Sequence, residues 1–222
     1  MSSKNSTSTV AQQTLGRFVQ SLAAKQPTPG GGGAAAVGAA LGAAAASMAA
    51  AYTQRKKDKE SGAADRAMAL LKVFGTANTN LEEDNTTNSL LRVADDDAVA
   101  YTDLQRTWKK KATTEEELSF DEKASIEARA LAVPTNLVKK CHSHIIAIQD
   151  FLPHCNDNIT SDAKVGIHLL AGAARSAYQT VLVNQPSIEE KEQLKLLMKD
   201  IRTIEDDILD INTVDEQLGV EK

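Results

Sequence analysis

PTPGGGGAAAVGAALGAAAASMAAA, residues 27–51, is the least ordinary stretch of this chain and the one on which its fold turns. Two prolines and four consecutive glycines open it, and an uncharged run built almost wholly from alanine and glycine follows. A polyglycine linker is the plain reading of the glycines alone. It fails at Ala34, where composition turns abruptly to the strongest helix former. The stretch therefore predicts a loop over 27–33 feeding a helix that runs to Arg55. Such a segment has three physical uses. A helix start leaves backbone N–H groups free to cradle an anion. Gly38 and Gly42, at GxxxG spacing, let another backbone approach closely. The run is also long enough to cross a bilayer, but it lacks the Leu, Ile, Phe and Val that drive insertion, so no membrane contact is expected.

Around this stretch the chain reads as one all-α domain. Its 222 residues suffice for a substantial core, and a net charge of -5 argues against nucleic acid as a partner. Aromatics are scarce and alanine abundant, which favours closely packed helices. Cys141 and Cys155 form no disulfide framework, and the polar start MSSKNSTST has no apolar signal core; a cytoplasmic protein is expected. Residues 1–9 and 212–222 read as flexible tails, and 10–211 as a single-domain bundle of long antiparallel helices.

Within that domain Val10, Leu15, Phe18, Val19 and Leu22 fit one helical stripe. Lys56, Lys57 and Lys59 fall where the last turn of the Ala/Gly helix would be, suiting its negative end. Residues 63–74 and 90–108 read helical, separated by a polar stretch expected to be exposed or broken. Thr113 or Thr114 starts a further helix that reaches Leu152, kinked or interrupted at Pro134. The segment CNDNITSD caps the next helix. After Pro186, Leu194, Leu197, Ile201, Ile204, Ile208 and Ile211 alternate steps of three and four, an a/d seam short enough to pack inside a bundle or across a dimer.

Few residues carry an obvious chemistry. Asp97 and Tyr101 share a helical face and would set a carboxylate beside a phenol; an acidic solvated face explains DDD equally well. Lys56 and Lys57 either anchor a carboxylate or phosphate or complete a cationic helix end. Asn156, Asn158 and Asp162 either present a polar ring or cap a helix. Cys141 and His144 could meet on one face, but four converging ligands are not in sight, so no metal site is expected.

Together these pieces resemble the cyclodeaminase domain of formiminotransferase-cyclodeaminase and its stand-alone relatives, including methenyltetrahydrofolate cyclohydrolases of bacterial type. PTPGGGGAAAVGAALGAA is similar to the family's PTPGGGS-type loop and small-residue helix. YTQRKK (52–57) resembles its motif ending in two lysines, DDDAVAY (95–101) its acidic helix, NDNITSD (156–162) its Asn-rich turn, and TVLVNQPSI (180–188) supplies Asn184 at the usual asparagine. The resemblance runs from residue 14 to 190 with the motifs in order.

It implies an all-helical homodimer acting on a tetrahydrofolate substrate, at the carbon bridging N5 and N10, without a separate cofactor. Lys57, Asp97 and Asp162 would be the catalytic residues. Pro29, Gly30, Gly31, Gly32, Gly33, Tyr101, Asn158 and Asn184 would bind substrate. The reaction would be methenyltetrahydrofolate hydrolysis or formiminotetrahydrofolate cyclisation, the former favoured because no transferase domain is attached. Three departures matter: Gly33 replaces the usual serine, Arg55 the usual glycine, and Asp58-Lys59 a frequent tyrosine. They keep an inactive folate-binding or structural relative as the alternative.

Overall fold

Side-chain size sets how closely the helices of this protein pack. In the computed structural model, which describes residues 9–75, 86–108 and 118–209, the described residues form eight α-helices and no strand. They are α1 (Leu15–Ala23), α2 (Gly31–Ala51), α3 (Lys56–Glu60), α4 (Ala63–Val73), α5 (Thr86–Trp108), α6 (Phe120–Phe151), α7 (Thr160–Val183) and α8 (Ile188–Leu209). The expected tails, the polar stretch before α5, the cap at Thr113 or Thr114, and Ile211 lie outside the described residues, apart from a few positions at their edges.

The Ala/Gly helix is the centre of the bundle. Ala36, Ala39, Ala43, Ala46, Ala49 and Ala50 are completely buried on α2. Each buried methyl contributes only about 0.8 kcal/mol, but alanine loses no rotamer entropy on burial. Small side chains also admit a close neighbour. At Gly42 an added methyl would sit 2.9 Å from the Gly166 carbonyl oxygen and 3.0 Å from the Leu170 amide. The relation is reciprocal, since a methyl at Gly166 would lie 2.9 Å from the Gly42 carbonyl oxygen. Gly38 faces Ala173, and Gly42 faces Gly166 and Leu170, so α2 and α7 run antiparallel. The close approach thus depends on Gly42 with Gly166. Gly38, with Ala173 Cβ at 3.9 Å, is in ordinary contact. Burial in the bundle also accounts for the one described helix long and apolar enough to span a membrane: more than half of the relevant α2 window is covered.

Local chemistry sets the helix boundaries. Thr14 caps α1, its Oγ1 accepting from the Arg17 amide at 3.2 Å. The N-terminal stripe is therefore broken: Val10–Gln12 forms a separate 3-10 turn, Phe18 is buried, and Leu15 and Val19 stay exposed. α2 stops at Ala51, and the lysines expected in its last turn stand on α3 instead. α6 begins at Phe120 under a Ser119–Glu122 capping box and continues through Pro134 as one helix. Ser187 and Glu190 cap α8 in the same way.

The a/d residues of α8 pack inside the bundle, with Leu194, Ile201, Ile204 and Ile208 buried. Glu205, itself buried, receives Arg175 and His168 of α7, and His142 of α6 meets Asp200 at 2.6 Å, so polar pairs fix the register of α8. The all-α class and the single helical domain are as the sequence predicts.

Candidate functional site

The sequence-predicted site residues fall into two groups, one at each end of α2. At the N-terminal end the four glycines do not form the expected loop. Gly30 is the N-cap and Gly31–Gly33 make the first helical turn, with Pro29 packed 3.5 Å from where a Gly33 methyl would be. This turn abuts α5. A methyl at Gly32 would lie 2.5 Å from Cγ of Asp97, and the Gly33 backbone N–H beside it favours the ionised Asp97 carboxylate. A carboxylate is therefore seated on the positive end of a long helix, in the space left by a missing side chain.

The three consecutive acids have separate environments. Asp95 accepts the Val10 amide at 3.0 Å and pins the N-terminal turn to α5, Asp96 is exposed, and Asp97 faces α2. Burial pushes the Asp97 carboxyl above the ordinary aspartate range; the Gly33 N–H opposes this only partly.

Asp97 stands at one edge of a cavity of about 800 Å³ between α5, α6 and the end of α7. Tyr101, Leu104 and Trp108 continue from Asp97 along one face of α5, and the Tyr101 and Trp108 rings meet edge-to-face with centroids 6.1 Å apart. Leu131 and Glu127 of α6 and Gln179 of α7 close the other sides. Asp97 and Tyr101 thus share a concave surface as their spacing suggests. Trp108, Glu127 and Gln179 were not among the expected residues. Trp108 extends the i, i+4, i+7, i+11 stripe begun by 97, 101 and 104, a signal present in the sequence. For Glu127 and Gln179 no local signal exists, because α6 and α7 bring them in by tertiary packing.

Asn184 also lines the cavity, but its amide is committed to the scaffold. Its Nδ2 donates to the Ala130 carbonyl at 2.8 Å. That carbonyl is the one residue 134 would satisfy in an unbroken helix, and Pro134 has no N–H to give. Asn184 therefore repairs α6 where proline leaves it incomplete.

The second group lies at the C-terminal end of α2, about 30 Å away by the rise of a 21-residue helix. Thr53 Oγ1 donates to the Ala49 carbonyl at 2.9 Å and accepts the Asn156 amide at 3.1 Å. Asn156 Nδ2 donates to the Tyr52 carbonyl at 3.3 Å, and its Oδ1 accepts the Asn158 amide at 3.1 Å. Asn156 thus serves the backbone, Asn158 is exposed, and Asp162 is half-buried in the first turn of α7. Lys57 is exposed on α3.

Arg55 is tied back to Asp58 by Nε at 2.7 Å and Nη2 at 2.8 Å, and its amide donates to the same carboxylate at 2.9 Å. The guanidinium holds the Asp58 carboxyl below its usual range. The fold of the chain therefore does not bring Lys57, Asn158 and Asp162 to Asp97, Tyr101 and Gly30–Gly33. Among the described residues no group of three or more His, Cys, Asp or Glu converges on a metal position. Cys141 and His144 are both buried in the core, with His144 against Phe74 at 5.0 Å between ring centroids.

Comparison with solved structures places the same fold in the crystal structure of formiminotetrahydrofolate cyclodeaminase from Thermotoga maritima. The two share 20% identity with a TM-score of 0.68, over 89% of this chain and 92% of that one. Comparison with curated proteins gives no match. The model of the formiminotransferase-cyclodeaminase family matches residues 14–203. With that match covering most of its length, the chain belongs to the formiminotransferase-cyclodeaminase family.

Proposed function

We propose that this protein is a folate one-carbon enzyme acting at the carbon that bridges N5 and N10 of tetrahydrofolate. The observation that carries the proposal is the Asp97 carboxylate, seated on the α2 N-terminus at the edge of the aromatic cavity. The methenyl carbon is an amidinium-type cation, and a carboxylate beside it stabilises the positive charge. In hydrolysis, water adds to that carbon and gives up one proton, and the carbon–N5 bond breaks as the remaining hydroxyl proton passes to N5, leaving the formyl carbonyl on N10. In cyclisation of the formimino compound, N10 adds to the carbon and ammonia departs.

Both routes pass through a tetrahedral carbon, and both need one group that accepts a proton and returns it nearby. A carboxyl held above the usual range by burial is better matched to that exchange than an ordinary aspartate. Tyr101 and Trp108 offer aromatic surface to the pterin, and the cavity volume suits a drug-sized ligand.

The test is direct. Wild-type protein and Asp97→Asn are assayed for methenyltetrahydrofolate hydrolysis and for formiminotetrahydrofolate cyclisation. The expected outcome is turnover in one assay, lowered by about 10²–10⁴-fold in the variant, the usual worth of a positioned acid–base group. Whichever substrate turns over identifies the reaction. Folate binding with neither activity would establish the alternative, an inactive folate-binding relative.

A further inference from the structure

Two polar residues of the cavity wall take no part in the chemistry at the bridging carbon: Glu127 of α6, and Gln185 just past the end of α7. Packing decides where they stand. Arg129 pairs with Asp103, and one turn further along α5 Arg106 shares a surface hollow with Glu122, nearer the start of α6, so α5 and α6 run antiparallel. Glu127 therefore comes level with Gln105, about 12 Å along α5 from Asp97 by helical rise. The Asn184–Ala130 hydrogen bond sets the end of α7 beside the same part of α6, and Gln185 follows Asn184 directly. Tyr101 and Leu104 line the interval between the two carboxylates, and Trp108 lies beyond them.

Gln185 has an unfavourable backbone for a glutamine. Its φ is 52°, the one positive value at a non-glycine among the described residues. A left-handed residue after a helix is ordinarily glycine or asparagine, and glycine here would close α7 without a side-chain penalty. The other positive φ angles, at Gly62 and Gly75, do fall on glycine. Closing the helix therefore does not account for the choice. The side chain is exposed at the cavity wall, and strain of this kind collects where a particular side chain is needed.

We propose that Glu127 and Gln185 read the 2-amino-4-oxopyrimidine edge of a pterin whose bridging carbon lies at Asp97. The inference rests on the folate reading of this cavity, and adds the direction in which the substrate lies and the groups that select its ring. That edge presents two N–H donors side by side, at the 2-amino group and N3, with the C4 carbonyl next to them. A carboxylate accepts such a pair in bidentate fashion, as it does from a guanidinium. Having only acceptors, it cannot serve a ring with oxygen at C2 in the same way. The Gln185 amide supplies the donor that the C4 carbonyl needs and Glu127 lacks. The size agrees, because two fused six-membered rings with a polar contact of about 3 Å at each end cover the interval between the carboxylates. The cationic carbon and the donor edge then each face a carboxylate, with the ring lying along Tyr101.

Trp108 is the chain's one tryptophan, so its fluorescence reports occupancy of the cavity. The full chain is titrated with 2-amino-4-oxopteridine and with 2,4-dioxopteridine, which carries oxygen in place of the amino group. After inner-filter correction, quenching should show the amino compound binding at least about tenfold more tightly, the loss expected when a hydrogen bond to a charged group goes unmade. Glu127→Gln, at an exposed position, should keep the fold and lose that preference, since a glutamine amide can serve either ring. Gln185→Gly should bind the amino compound about tenfold more weakly while melting at or above the wild-type temperature. A residue that only closes α7 would gain stability and lose no affinity.

Equal wild-type affinity for the two pteridines, or quenching by neither, would overturn the edge reading, as would a Glu127→Gln variant that keeps the preference. Wild-type affinity in Gln185→Gly would overturn the part assigned to Gln185. This reading and the enzymatic one fail separately. The expected preference without turnover of methenyl- or formiminotetrahydrofolate would leave the edge reading standing and overturn the enzyme; turnover without the preference would do the converse.

Discussion

Gly32→Ala perturbs the contact on which the chemistry is proposed to depend. The new methyl would lie 2.5 Å from Cγ of Asp97, where carbon–carbon contacts ordinarily fall at about 3.5–4.0 Å. Gly32 sits in the first helical turn and its backbone is held by α2, so the carboxylate must withdraw, by about 1 Å or more. It can do so because an aspartate side chain has two rotatable bonds, and in withdrawing it leaves the Gly33 N–H. Losing a hydrogen bond to a charged group costs about 1.5–3 kcal/mol, offset in part by the better hydration of the displaced carboxylate. Alanine's better helix propensity returns up to about 1 kcal/mol, so net stability should fall by no more than about 2 kcal/mol. Activity should not be spared, because a displacement of about 1 Å in a catalytic group costs about 100-fold in rate. Gly31→Ala is the control, since a methyl there meets nothing within 4 Å. Steady-state kinetics and thermal melts of both variants give the answer: Gly32→Ala should lose about two orders of magnitude in kcat with a Tm lowered by no more than about 8 °C, and Gly31→Ala should match wild type in both. If Gly32→Ala keeps wild-type kcat, Asp97 does not act from the position it occupies against α2, and the mechanistic reasoning falls.

Gly42→Ala should do the opposite, destabilising the fold by about 1–3 kcal/mol through overpacking against the Gly166 carbonyl, less up to about 1 kcal/mol regained in helix propensity; calorimetry should register a lowered Tm. Asn184→Ala should cost about 1–3 kcal/mol by stranding the Ala130 carbonyl, and Pro134→Ala, which restores the missing N–H, should remove most of that cost in a double-mutant cycle. Burial lowers the His144 pKa from 6.5 to about 4, so the unfolded chain takes up the proton first and stability falls as pH drops from 6.5 towards 4. The loss amounts to about 3 kcal/mol once both states are protonated, and His144→Leu should flatten that part of the urea-derived stability profile.

The helices with strong apolar periodicity were legible in the sequence, as was the central place of the Ala/Gly run. The spacing of Gly38 and Gly42 announced close packing, but only the structure selects Gly42, because the selection depends on where Gly166 of α7 falls. The boundary between α2 and α3 was misjudged for a related reason. Lysines after an alanine-rich helix suit its dipole, yet α2 ends at Ala51 and a new helix starts at Lys56, with Asp58 bonded back to Arg55 at its N-cap. In the site, Asp97 and Tyr101 were readable from one helix's geometry. Their separation from Lys57, Asn158 and Asp162 along α2, a helix about 30 Å long, was not, because motif order along a chain carries no distance.

The departures from the family pattern are weaker grounds for an inactive relative than the sequence made them. A serine replaced by Gly33 loses a hydroxyl, but what position 33 gives Asp97 is a backbone N–H, which any residue other than proline supplies. Arg55 in place of glycine adds bulk and charge beside Lys57, but the guanidinium is folded back on the Asp58 carboxylate and neutralised by it. Asp58 is itself the departure from tyrosine, so two of the three anomalies form one ion pair. Their charges cancel, and the cationic character of this end of α2 still comes from the exposed lysines 56, 57 and 59. The departure at Gly33 therefore leaves intact the backbone N–H beside Asp97, and those at Arg55 and Asp58 leave Lys57 exposed.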